Sequence, residues 1–301
     1  RKKNKNFIKL CLNPNLVKEI TLQPLKRFNL DAAIIFSDIL MVPYGLGQEV
    51  KFAKGKGPIL GKIEIKKIIK TKDKEFLNKL EPVYKAMNKI KRSLKEEEAI
   101  GFVGAPWTLL VYMLNKKSPK KGFKFNNIIK NEKLLTELMK KVEKTIYLHA
   151  KKQYEAGADV IQIFDSWAGL IPKKKLNKFC FQPTKRIVKK LRGRGIPVIC
   201  FPRGIGKNYV KFCSRVKPNC INIDYKIDPK WARNKFKKIP IQGGLDPKIL
   251  FKNKKILKKE VKNYLNIFNG YPYIFNLGHG VLPKTKPETI KYITDIVRNR
   301  L

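Results

Sequence analysis

The chain has 301 residues, 43% of them hydrophobic, which suits one large α/β barrel or two medium domains and excludes a disordered polypeptide. Lys and Arg (68) outnumber Asp and Glu (23) to give a net charge of +45, compatible with nucleic acid, an acidic membrane face or a polyanionic small molecule, although lysines spread along nearly the whole chain read better as solvated surface. No apolar run reaches the roughly 18 residues of a membrane helix, no signal-peptide core follows the basic Arg1–Asn6, and five cysteines without a C-x-x-C pair argue against disulfides or a zinc cluster and for a reducing cytosol.

In chain order, short apolar runs alternate with longer Lys-rich amphipathic stretches, the pattern of a parallel sheet. Asn15–Phe28 reads as a helix that Pro24 should kink or split. A strand is expected at Ala32–Ile35, and Lys51–Asp73, rich in Gly and Lys, reads as a long loop or a hairpin. Helix Phe76–Lys95 leads into a strand at Ala99–Val103, and the long helix Asn131–Ala156, with Gly157 at its expected end, into a strand at Asp159–Phe164. Helix Leu176–Gly193 precedes strands at Pro197–Phe201, Cys220–Ile223 and Ile239–Gln242. Helix Ile256–Phe268, ending at Gly270, precedes a strand at Tyr273–Asn276, and Pro287–Leu301 closes the chain as a helix. The expected fold is therefore α/β, a single (β/α)8 TIM barrel over residues 1–301, one strand short. Open edges are costly, so the first strand is expected upstream of Arg1, which agrees with the absence of an initiator Met.

Active sites of such barrels form at the C-terminal ends of the strands. Four places there carry polar residues among apolar ones. Asp38, in the run Phe36-Ser37-Asp38-Ile39, is either a loop-orienting cap or an acceptor for ligand N–H groups. After Gly101–Gly104, Trp107 and Tyr112 are either core or apolar walls with a polar tip. Asp165-Ser166 ends the third run; without a G-x-S-x-G or a nearby His, Ser166 is no hydrolase nucleophile. His279, between Gly278 and Gly280, is one of two histidines and would titrate near neutrality at the barrel mouth, whereas His149 lies in a helix. No matched carboxylate pair suggests a glycosidase. Such a mouth would take a flat, apolar ring with charged edges.

These residues resemble the uroporphyrinogen decarboxylase family. Asp31–Leu40, Gly101–Thr108 (GFVGAPWT), Phe164–Gly169 (FDSWAG) and Phe275–Pro283 (FNLGHGVLP) match its segments in order, and Gly243–Pro247 is similar to GNLDP with Gly244 replacing Asn. The resemblance implies decarboxylation of the four acetate arms of uroporphyrinogen III to coproporphyrinogen III in heme synthesis, by a cytosolic homodimer without metal or organic cofactor. It implies that Asp38 accepts the pyrrole N–H groups and that Tyr112, Ser166 and His279 contact carboxylates or protons. Phe164 would lie beside the ring, with Phe36 also against substrate, while Arg203 is a candidate for a basic rim. The family's RQAGR-type arginine segment has no counterpart here, and the natural protein is expected to carry it upstream of Arg1.

Two rivals remain. A corrinoid-linked, zinc-dependent methyltransferase of the same superfamily would carry H-x-C, but Val198 stands two residues before Cys200 where the His would be. A nucleic-acid-binding protein would bind with strong salt dependence, but no motif or aromatic interleaving supports it. A porphyrinogen-binding homologue without turnover is the third alternative.

Overall fold

The computed structural model describes residues 6–53, 57–119, 123–127 and 131–298. The basic start Arg1–Lys5, residues 54–56 of the Gly/Lys-rich stretch and the last three residues of the closing helix lie outside the described residues. After β1 (Ala32–Ile34) the chain forms an antiparallel hairpin, β2 (Val50–Ala53) and β3 (Gly57–Leu60), so Lys51–Asp73 becomes a hairpin followed by a helix, Ile65–Lys70. The remaining strands are β4 (Glu98–Gly104), β5 (Val160–Asp165), β6 (Val198–Pro202), β7 (Cys220–Ile223), β8 (Ile241–Gly243) and β9 (Tyr273–Ile274). Together with β1 they form a seven-stranded sheet in the order β1-β4-β5-β6-β7-β8-β9, every neighbouring pair parallel. Each expected strand is present, β1, β8 and β9 shorter than expected.

Helices cover one face of this sheet. Asp73–Lys91 buries Phe76, Leu80, Val83, Met87 and Ile90 along one stripe, each such side chain contributing roughly 1.5–3 kcal/mol. Pro14–Phe28 runs unbroken through Pro24, contrary to the expected split. Pro24 lies on its exposed face, and burial of Val17, Thr21 and Leu25 on the opposite face holds the helix across the missing bond. Gly157 and Gly270 have φ of +113° and +68° just beyond helix ends, as expected. Helices at Pro106–Asn115, Tyr209–Val216 and Pro229–Lys235 are additional to the sequence reading.

The sheet is curled, in the manner of a TIM-like barrel wall. Gln162 of β5 donates to Asn222 of β7 (3.1 Å) although β6 lies between them, and Gln242 of β8 donates to the same Asn222 oxygen (2.8 Å). Three side-chain amides, each no more than 4% exposed, thus meet on the concave face. Among the described residues the wall stays open. β1 and β9 are each paired on one side only, and Ile34 and Ile274 on these edges are 44% and 46% exposed.

Candidate active site

The site is built where β1 leaves the sheet early. Ile35 N–H still bonds Ile100 O (3.0 Å), but Phe36 N–H turns to Thr21 Oγ1 (2.9 Å). Beyond that point Phe102 of β4, still paired with β5 on the other side, has no strand on its β1 side. The side-chain amide of Gln153 fills the gap, accepting from Phe102 N–H (3.0 Å) and donating to Phe102 O (2.9 Å). The chain from Phe36 to Leu40 is thereby free to cross the end of β4. It passes so close that a Cβ on Gly104 would lie 3.0 Å from Ile39 Cβ.

Asp38 sits on this crossing segment, half-buried. Its Oδ1 accepts Leu40 N–H (2.8 Å), and its carbonyl accepts Met41 N–H (3.1 Å). The carboxylate is oriented by its own loop, the loop-orienting alternative of the sequence reading, although its side chain does not cap the helix that follows, Met41–Gly45. Ser37 Oγ next to it, and Trp167 Nε1 at the β5 end, are buried polar atoms with no hydrogen-bond partner among the described residues.

The ends of β4 and β5 are bound through Asp165. Thr108 Oγ1 donates to Asp165 Oδ1 (2.6 Å) and accepts from Trp167 N–H (3.0 Å), while Trp107 Nε1 donates to Trp167 O (3.0 Å). Thr108 begins the helix whose next turn carries Tyr112, and the Tyr112 ring meets the Trp167 ring at 6.1 Å. Trp107 is fully buried against Phe125 and Phe179, so it is core and not a wall of the mouth. Burial pushes the Asp165 carboxyl up to about 6, against the opposing hydrogen bonds from Thr108 and Cys180. Cys180 lies in a π-turn, Asn177–Phe181, that brings its thiol to this carboxyl.

Phe164 stands edge-on between Phe102 (5.7 Å) and Phe201 (6.2 Å), lining the concave face with aromatic rings. Phe36 packs on Phe7 at 5.7 Å. Ser166 and Arg203 share a pocket of about 250 Å³ with Asp224 and Lys226. Phe36, Asp38, Tyr112, Phe164 and His279 do not line it.

His279 is held at the mouth by Gly278, where a Cβ would fall 2.3 Å from Tyr225 N; only glycine lets the β9 loop lie on the β7 loop. His279 Nδ1 accepts from Gly280 N–H (2.6 Å), which leaves the proton of a neutral ring on Nε2. Partial burial lowers its pKa, the Arg203 cation lowers it further, and Asp224 opposes both. His149 is remote from the mouth, buried beside Tyr84 Oη (3.1 Å), and burial lowers its pKa to about 3.

Strand-end reasoning noted the Asp165-Ser166 pair, kept Ser166 from it as a site residue, and passed over Asp224 and Lys226. Asp224 follows the Cys220–Ile223 run directly, and the same rule would have found it. Cys200 is 1% exposed and lies beside Cys213 of the neighbouring helix, not at the mouth. Among the described residues no three His, Cys, Asp or Glu side chains are arranged to hold a metal ion, and no helix is long and apolar enough to cross a membrane.

Among solved structures, a methyltransferase from Methanosarcina mazei superposes with a TM-score of 0.80 at 16% identity, covering 98% of this chain and 88% of that one, a likeness of fold alone. A B12-independent methionine synthase from Shewanella sp. W3-18-1 follows with a TM-score of 0.56 at 10% identity, over 95% of this chain and 88% of that one. In sequence, the chain is 42% identical over 304 residues to a uroporphyrinogen decarboxylase of Rickettsia bellii, covering 99% of this chain and 89% of the relative. It is 40% identical to that of Wolbachia pipientis wMel over 297 residues, 98% of this chain and 87% of the relative. The family model for uroporphyrinogen decarboxylase (URO-D) matches residues 1–300: the chain belongs to the uroporphyrinogen decarboxylase family.

Proposed function

We propose that this protein decarboxylates the four acetate arms of uroporphyrinogen III, giving coproporphyrinogen III for heme synthesis, without metal or organic cofactor. The family match along residues 1–300 carries this reading. The pyrrole is its own electron sink: a ring α-carbon is protonated, and carbon dioxide leaves as the C–C bond electrons form an exocyclic methylene. The methylene then takes a proton to become methyl while the ring α-carbon gives its proton back, so one proton is consumed per carboxylate lost. Asp38 accepts the converging pyrrole N–H groups and stabilises the cation that forms. The Leu40 N–H bond to its Oδ1 supports this role, because an acceptor already oriented need not reorganise as charge develops. Phe36 and Phe164 lie against the ring, Tyr112, Ser166 and His279 meet carboxylates or protons, and Arg203 belongs to the basic rim.

The same reading has one barrel domain over 1–301, completed by an eighth parallel strand between β9 and β1, and a homodimer in the cytosol. Support for the eighth strand comes from the two half-paired edges and from a cavity of about 660 Å³ that runs from Asn29–Asp31, ahead of β1, to Ile274 and Phe275. The family's arginine-rich segment would belong with that strand and hold substrate carboxylates. The corrinoid methyltransferase reading is not favoured: Val198 occupies the position of its histidine, and Cys200 faces helices.

Anaerobic incubation with uroporphyrinogen III, with chromatography of the products, tests the function in this chain and in a version extended by a family-type N-terminal segment. Coproporphyrinogen is expected at least from the extended form, and Asp38→Ala should lower kcat by about 10²–10³-fold. Binding without any turnover by either form would leave a porphyrinogen carrier instead of an enzyme.

A further inference from the structure

The pocket between the ends of β5, β6 and β7 has a chemistry beyond its two expected members. Arg203 and Lys226 reach it from different loops, and Ser166 adds a hydroxyl. Among the described residues neither cation forms an ion pair. Both loops are fixed. Arg203 N–H bonds Asp165 O (3.1 Å), and Arg203 O accepts Gly169 N–H (2.9 Å).

One buried carboxylate holds the remainder. Asp224, 2% exposed, accepts Gly204 N–H (2.8 Å) and the Tyr209 hydroxyl (3.1 Å) on Oδ2, and Lys226 N–H (3.0 Å) on Oδ1. Its hydrogen bonds go to the two cationic loops and to the helix between them, so it positions both. Two unpaired cations and a hydroxyl, on a frame fixed in advance, make a receptor for a carboxylate.

We propose that this pocket, formed by Arg203, Lys226 and Ser166 and positioned by Asp224, is a carboxylate subsite that takes one peripheral acid arm of the macrocycle. The inference rests on the decarboxylase reading for the identity of the ligand. Either an acetate or a propionate arm offers the same group. Only the propionate would keep the product seated after each reaction.

Fluorescence quenching of the full chain by uroporphyrin III and by coproporphyrin III measures binding without requiring turnover. Lys226→Met, whose side-chain tip has no structural partner, and Arg203→Met should each raise the Kd for uroporphyrin about tenfold or more. Lys185→Met/Lys189→Met, removing charge from an exposed outer helix, should leave it unchanged. An equal loss for coproporphyrin, which carries only propionates, assigns the pocket to a propionate arm, and an unchanged coproporphyrin Kd assigns it to an acetate arm. A uroporphyrin Kd within about twofold of the parent in both variants, or no uroporphyrin binding by the parent, overturns the subsite. Failure of the decarboxylase reading would show separately, as absence of coproporphyrinogen from both the parent and the extended form.

Discussion

At the scale of single residues, the least obvious participant is Asp165. It adjoins Ser166 in sequence, but its carboxyl turns away from the mouth to Thr108 and Cys180, with Cys200 also near. Its pKa rises from 3.8 to about 6, so the fold favours the protonated form. That favourable contribution is complete below the unfolded value and is lost as pH rises through about 6, leaving a cost near neutrality of about 3 kcal/mol. Asp165→Asn should therefore gain about 3 kcal/mol relative to the parent between pH 4 and pH 7.5, read from urea unfolding. A difference that does not vary with pH would show that the carboxyl finds stronger partners than Thr108 and the thiol.

At the scale of elements, the early exit of β1 is what makes the mouth. Gln153 is the device that permits it, standing in for a strand residue beside Phe102. Gln153→Ala would leave a buried N–H and C=O without partners and should cost about 2–4 kcal/mol in unfolding experiments, with the Asp38 loop loosened and activity reduced. The sequence showed the seven strands because strands buried by helices on one face and by the barrel on the other read as unbroken apolar runs. It did not show Gln153, whose job depends on a contact 51 residues away, against Phe102. Pro24 misled for the opposite reason: a local rule was overridden by tertiary packing of Val17, Thr21 and Leu25. Of the candidate site, the strand-end residues were legible because position relative to an apolar run is local information. The Arg203–Lys226 pairing was not, because it exists only through the Asp224 carboxylate.

At the scale of the whole molecule, the net charge of +45 acts on a substrate with eight carboxylates. The field steers encounter from beyond contact distance and weakens as salt shortens its reach. Raising ionic strength from ~0.05 to ~0.5 M should lower kcat/KM about tenfold while kcat holds nearly constant. A flat response would assign capture to local contacts alone.

The amides of Gln162, Asn222 and Gln242 carry a different consequence. They sit on three strands, and the Asn222 oxygen takes the N–H groups of both glutamines only when all three strands are in step. A strand that slipped by one residue would send its amide to the other face, where nothing answers it, and strand the remaining two in an apolar interior. The triad therefore works as an error check on assembly of the wall, penalising wrong alignments more than it strengthens the right one. A redesign for stability would have to replace all three with apolar residues together, and the resulting protein would fold with one safeguard fewer against misaligned strands.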